Sequence, residues 1–224
     1  MGSMTRNLKN IHGFTIAEVL VYIGMSALLT AGVMKIYVTN TQISASQKNI
    51  AQMYQEIRAA MNMMTTELRR AGCDPLGTNK GRTLSSEDYL GFLDNDNDDH
   101  LNTDENSIHF THDSTEPSDG WPYSINENVA YYCKGATSTG GQNLYRWCEA
   151  SEQEYLLARN IKLLDFEYFD SEGEAFTISD DSDRAKIRVV KITLTAETAK
   201  KDHLSGEKKE QTLTAYVRIR NLNL

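Results

Sequence analysis

Hydrophobic and polar positions divide the chain into three regimes. Residues 14–34, FTIAEVLVYIGMSALLTAGVM, are almost continuously apolar. As a helix rising about 1.5 Å per residue, this run reaches about 31 Å, the thickness of a bilayer's hydrocarbon core. Beyond Thr41 the apolar set becomes Ile43, Ile50, Met53, Ile57, Met61, Met64, Leu68 and Ala71. After the first step its spacing is three or four, so the helix continues with one apolar stripe, expected to face a sheet. Gly72 and Pro75 are its stop signal. After that the period drops to two. Ser107–His112 and Val129–Lys134 read as strands, as do Leu164, Phe166 and Tyr168 and then Leu213, Ala215, Val217 and Ile219. In Lys186–Thr195 the apolar phase switches between Val189 and Val190, which predicts a bulge there. A long helix followed by antiparallel strands predicts an α+β architecture.

Charge changes this picture in one region. The chain carries a formal net charge of -8. Between Thr83 and Cys133 there are Asp and Glu residues but neither Lys nor Arg. Nowhere is there the basic stripe that phosphate contact needs, so nucleic acid is not an expected partner. Arg6 and Lys9 precede the apolar run and Lys35 closes it, a distribution that leaves the N-terminus cytoplasmic and translocates the chain beyond Lys35.

One carboxylate, Glu18, lies inside the apolar run. At membrane depth it costs about 2.5 kcal/mol or more unless a cation partners it. The stretch around it, Gly13-Phe14-Thr15-Ile16-Ala17-Glu18-Val19-Leu20 after a short basic leader, resembles the class III signal of type IV pilins and type II secretion pseudopilins. That resemblance implies cleavage by prepilin peptidase after Gly13, N-methylation of Phe14, and pairing of Glu18 with the new amino group of a neighbouring subunit. It implies a pilin-like fold in three parts. A leader spans 1–13, a helix spans 14–72 with 14–34 in the membrane, and a β-rich domain spans 73–224. Further on, EIRAAMNMMTTELRRAGCDP, NLYRW, LLARNIKLLDFEYFD and TAYVRIRNL, in that order, resemble PilW-type minor pilins and J-type pseudopilins. The expected partners are other pilins through their N-terminal helices, the peptidase and the inner membrane. The expected location is the inner membrane as precursor and then a pilus.

The acidic region contains DNDNDDHLNTDE, 94–105. Set on a calcium loop, Asp94, Asp96 and Asp98 fall at positions 1, 3 and 5, His100 offers its carbonyl at 7, Asn102 sits at 9 and Glu105 at 12. Hard oxygens at this spacing suit Ca²⁺, although Asp99 stands where the turn glycine belongs and no helical pattern flanks the loop. The bland reading is a solvated Asp/Asn turn.

Three cysteines are too few for a disulfide scaffold, and no CxxC or CxxCH occurs. A two-residue hairpin turn at Gly140-Gly141 sets Cys133 opposite Cys148 and predicts a disulfide between them, leaving Cys73 over. That register makes them a hydrogen-bonded pair, so a bulge or longer loop is the alternative. His109 and His112 lie three apart on a strand, where they point to opposite faces and do not share a ligand. No HExxH or nucleophile elbow is present. The expectation is a non-enzymatic minor pilin, with a type II secretion pseudopilin and a bitopic calcium-binding receptor or adhesin as the alternatives.

Overall fold

The computed structural model describes residues 13–78, 89–94, 101–113, 118–122, 126–135, 141–151, 153–202 and 205–221. The chain forms two compact units, one reaching to Ala45 and one spanning Ser46–Leu224. Helix α1, Ile16–Leu68, contributes to both. The boundary between the two units therefore falls within α1. The amphipathic half of the helix supplies one wall of the core, so it belongs with the sheet.

In the first unit the helix exposes its apolar residues all round, from Phe14 through Val38. An 18-residue window there has a mean hydropathy of 1.8 and none of it is buried, so the segment is long and apolar enough to cross a membrane.

The second unit is an α+β arrangement, as its periodicities predict. Its strands are β1 Ser107–Thr111, β2 Asn128–Lys134, β3 Gln142–Cys148, β4 Gln153–Phe169, β5 Ala175–Phe176, β6 Val189–Glu197 and β7 Glu210–Arg218. All pair antiparallel in the order β1-β2-β3-β4-β6-β7, with β5 added to one end of β4. Met53, Ile57, Met61, Met64 and Leu68 of α1 pack against Ile108, Tyr131, Leu144, Ile161, Phe166, Ile192 and Val217 of the sheet. The expected methionine stripe is thus the core face of the helix. Its unbranched side chains fill the uneven gaps above a twisted sheet.

The helix stops at Leu68, four residues before the expected end. Arg70 and Ala71 donate back to Glu67 and Leu68 at 2.8 and 3.1 Å, a tightened last turn. Gly72 then takes φ 72°, which a side chain would disfavour, and its N–H donates to the Thr111 carbonyl at 2.9 Å. The Cys73 carbonyl accepts from Asp113 N, and Gly91 and Leu93 bond to Thr111 and His109. The outer edge of β1 is thereby covered.

The irregular strand is β4. Its buried positions run Ala158, Ile161, Leu164, Phe166 and Tyr168. Side chains alternate faces with period two, so each step of three contains one extra residue, a bulge. The pairing shifts between Ile161 and Leu163 against β6, and Asn160 adopts φ 55°. The bulge expected in β6 is not there, since β6 pairs with β7 without a break from Val189 to Glu197. The apparent phase switch arises because Lys186 and Ile187 belong to the turn leaving α2, Asp181–Arg184, and donate to Asp183 and Arg184. Ile187 is buried by that turn, not by strand alternation.

Candidate functional site

The residues of the N-terminal signal sit at the start of α1. Thr15 occupies the cap position. Its Oγ1 accepts from Glu18 N at 3.2 Å, and Glu18 Oε2 accepts from Thr15 N at 3.5 Å. This reciprocal pair is a capping box, and it places a negative charge on the first turn where the helix dipole favours it. Sequence reading missed it, although the signal is in plain view as Thr15-Ile16-Ala17-Glu18, Thr followed three residues later by Glu. Phe14 is exposed and stacks edge-on to Tyr22 at 6.4 Å. Among the described residues, a side chain on Gly13 would meet nothing within 4 Å, so their packing does not require glycine there.

Of the predicted calcium ligands, Asp94, Asn102 and Glu105 are described, and Asp96, Asp98 and His100 lie outside the described residues. Asp94 Oδ2 accepts from Nη1 of the buried Arg184 at 2.7 Å, and Asp181 shares the same guanidinium. The Asn102 carbonyl accepts from Ser107 Oγ at 3.0 Å, and the Glu105 carbonyl from Phe166 N at 2.9 Å. Among the described residues no group of three His, Cys, Asp or Glu could hold a metal ion. The described part of the acidic segment is anchored by protein groups. Asp104 Oδ1 caps Asn106 N and Ser107 N at 2.6 and 2.7 Å. The Leu101 carbonyl faces His109 Nδ1 at 2.8 Å.

The predicted disulfide is absent. Cys73, Cys133 and Cys148 are all free thiols. Cys133 lies opposite Leu144, and Cys148 opposite Val129. Four positions along a strand separate the cysteines by about 13 Å, whereas a disulfide needs Cα atoms within about 7 Å. The hairpin does not close through a two-residue turn, because β2 ends at Lys134 and β3 begins at Gln142. Gly141 serves another purpose. A Cβ there would lie 2.8 Å from Asn160 Cα, so glycine lets the chain pass close to the β4 bulge. Burial pushes the Cys133 thiol up to about 12.

The two histidines are structural. His109 is enclosed between Leu101, Asn128 and the Trp147 ring, its Nε2 at 2.6 Å from Asn128 Oδ1. His112 Nδ1 lies 3.1 Å from the Glu127 carbonyl. Burial lowers the pKa of both rings. A cleft of about 510 Å³ between Asp104–Asn106, β4 and 175–178 collects Asp104, Glu105, Asp165 and Glu167. Burial and then the neighbouring Glu167 raise the Asp165 carboxyl.

A polar brace unforeseen in the sequence joins the helix to the sheet. Arg146 Nε donates to Glu67 Oε2 and Oε1 at 3.0 and 3.2 Å, and Arg146 Nη2 donates to Asn126 Oδ1 at 2.9 Å. The Tyr131 hydroxyl also donates to Glu67. Burial, reinforced by the Glu67 charge, raises Tyr131 well above the usual phenol range. Arg146 loses hydration on burial, but Glu67 outweighs that loss and its pKa rises.

The sheet unit coincides with a known family. The family model for prepilin peptidase-dependent protein B matches residues 46–219. The comparison with curated proteins gives no match. The matched region begins where the compact sheet unit begins and excludes the Gly13–Leu20 signal, so the family match and the signal are independent observations. That family is a structural, non-enzymatic kind of pilin-related protein. On a match over most of its length, the chain belongs to the prepilin peptidase-dependent protein B family.

Proposed function

We propose that this chain is a minor pilin, made as a membrane-inserted precursor and cut after Gly13. It then serves as an assembly subunit of a type IV pilus in a priming or tip complex with other minor pilins. The observation that carries the reading is the Gly13-Phe14 junction followed by Glu18 in the first turn of an exposed apolar helix, in a chain of this family. Cleavage creates an ammonium at Phe14. Burying it or Glu18 alone in lipid is costly, so a stagger that brings the two together between neighbouring subunits is favoured. The N-terminus is cytoplasmic and the sheet domain periplasmic. Mass spectrometry of the N-terminal peptide, on membrane and sheared-filament fractions, tests this directly. A methylated Phe14 terminus in the filament fraction is expected, and an uncut N-terminus in both fractions would overturn it.

Calcium in the 94–105 loop is a subsidiary proposal, supported by ligand spacing. The ion would have to compete with Arg184 for Asp94 or bind without it. Calcium should raise the melting temperature of the whole chain relative to chelator. Superimposable melts with no titration heat would exclude the metal.

A further inference from the structure

β7 ends the sheet, and its backbone shows which groups remain open. Flanking β7, Thr198 N donates to the Lys209 carbonyl and Ile219 N donates to the Arg188 carbonyl, both at 2.8 Å. Both contacts keep the register of the unbroken β6–β7 ladder. Hydrogen-bonded pairs recur at every second residue, so the odd-numbered residues of β7 face β6. The N–H and C=O groups of Glu210, Thr212, Thr214, Tyr216 and Arg218 therefore point outward. Among the described residues no strand covers this edge. Along it, Gln211 Nε2 donates to the Thr212 carbonyl at 3.0 Å, a contact from within β7 itself.

Open edges are usually blunted by proline, a bulge or lysines, and β7 has none of these. Its outward row consists of two threonines and an exposed tyrosine between Glu210 and Arg218. Glu210 Oε1 already accepts from Lys162 Nζ at 2.6 Å, but both side chains stay about half exposed, so its second oxygen is open to a further cation and the two end charges fix a direction.

We propose that the outer edge of β7 is a strand-addition site for an extended segment of a neighbouring, different subunit. That segment runs antiparallel to β7, with a carboxylate facing Arg218 at its start and a cation facing Glu210 at its end. Main-chain bonds supply the affinity and the two end charges supply register and direction. A second copy of β7 also matches these charges, pairing with the first about Thr214. The twofold axis of that pairing, however, reverses the second copy's helix. Two chains held in one membrane through that helix do not share such an axis. This choice of occupant rests on the minor-pilin reading; the site itself does not.

The test uses the full chain in detergent micelles and a blocked nine-residue peptide, Asp-Thr-Val-Thr-Val-Thr-Val-Thr-Lys. Amide exchange at Thr212, Thr214 and Tyr216 should slow roughly tenfold or more at saturating peptide, while Leu213 and Ala215, already bonded to β6, stay unchanged. The same peptide with Lys first and Asp last should have no such effect. Arg218→Glu should bring the Lys-first peptide closer to the Asp-first one, and Thr214→Pro should abolish the slowing while melting like the parent. Two results would overturn the site: no protection of the even-numbered amides, or equal protection by both peptides on the unsubstituted chain. Protection that grows with protein concentration, without peptide, would make the occupant a second copy. None of these results depends on filament formation, which the N-terminal peptide measurement tests separately.

Discussion

Glu67, in the last turn of α1, meets Arg146, in the middle of β3, at 3.0 Å across the helix–sheet interface. Both side chains are largely withdrawn from water, with 17% and 6% of their surface exposed. Tyr131 and Asn126 satisfy further positions of the pair. The brace lies one residue before the helix stops, so it fixes where the end of α1 sits on the sheet.

Removing one partner leaves a buried, uncompensated charge, which costs about 3–5 kcal/mol. Glu67→Ala and Arg146→Ala should each lower urea stability of the detergent-solubilised chain by about that much. Glu67→Leu combined with Arg146→Met should recover most of the loss, because the desolvation cost disappears with the charges. A double variant as unstable as the sum of the singles would show that packing, and not the ion pair, accounts for the effect.

The free thiols give a second prediction. Alkylation of the unreduced, unfolded chain should add three groups, one for each of Cys73, Cys133 and Cys148. In the folded chain Cys133 should react slowly below pH 9, because its thiol is pushed up to about 12. A mass two units low that takes only one alkyl group would restore a disulfide.

The cysteines also mark what is legible in the chain and what is not. The helix, its methionine face and four of the strands follow from period and composition, because burial on one face leaves a local imprint every 3.6 or two residues. Strand register is not local. Gly140-Gly141 looks like a two-residue turn, yet Gly141 answers to Asn160, nineteen residues away, where the β4 bulge brings two backbones together. The β4 bulges themselves hide in apolar steps of three that also suit a helix. At the N-terminus the motif is fully legible, and only the capping role of Thr15 escapes it. In the acidic loop, Asp94 carries no mark that its partner is Arg184, ninety residues on.

Acid should loosen the sheet domain through its histidines. Burial lowers the pKa of His109 and His112, so below about pH 6.5 the unfolded chain binds protons that the folded chain resists. Stability is then complete above that pH and lost as pH falls toward the folded values, by up to about 1.4 kcal/mol per pH unit for each ring. Melting temperatures measured from pH 7.5 to 5 should decline. His109→Gln should be less stable at neutral pH and show a shallower decline. An unchanged slope in that variant would exclude His109 as a source.

Glu18 has two duties, and they can be separated. In the precursor it closes the capping box with Thr15, and in the assembled filament it is proposed to meet the Phe14 ammonium of a neighbour. Glutamine at the same position still accepts from Thr15 N and so keeps the cap, but it carries no charge. Alanine at Thr15 does the reverse, costing about 1 kcal/mol of helix end while leaving the carboxylate in place. If the counter-charge governs assembly, Glu18→Gln should be inserted and cleaved like the parent yet be depleted roughly tenfold from the sheared-filament fraction, a loss of about 1.4 kcal/mol. Thr15→Ala, scored only on its cleaved form, should enter filaments normally. The opposite ranking, with Thr15→Ala excluded and Glu18→Gln incorporated, would make the capping box the whole function of Glu18 and remove the ion pair from the assembly mechanism.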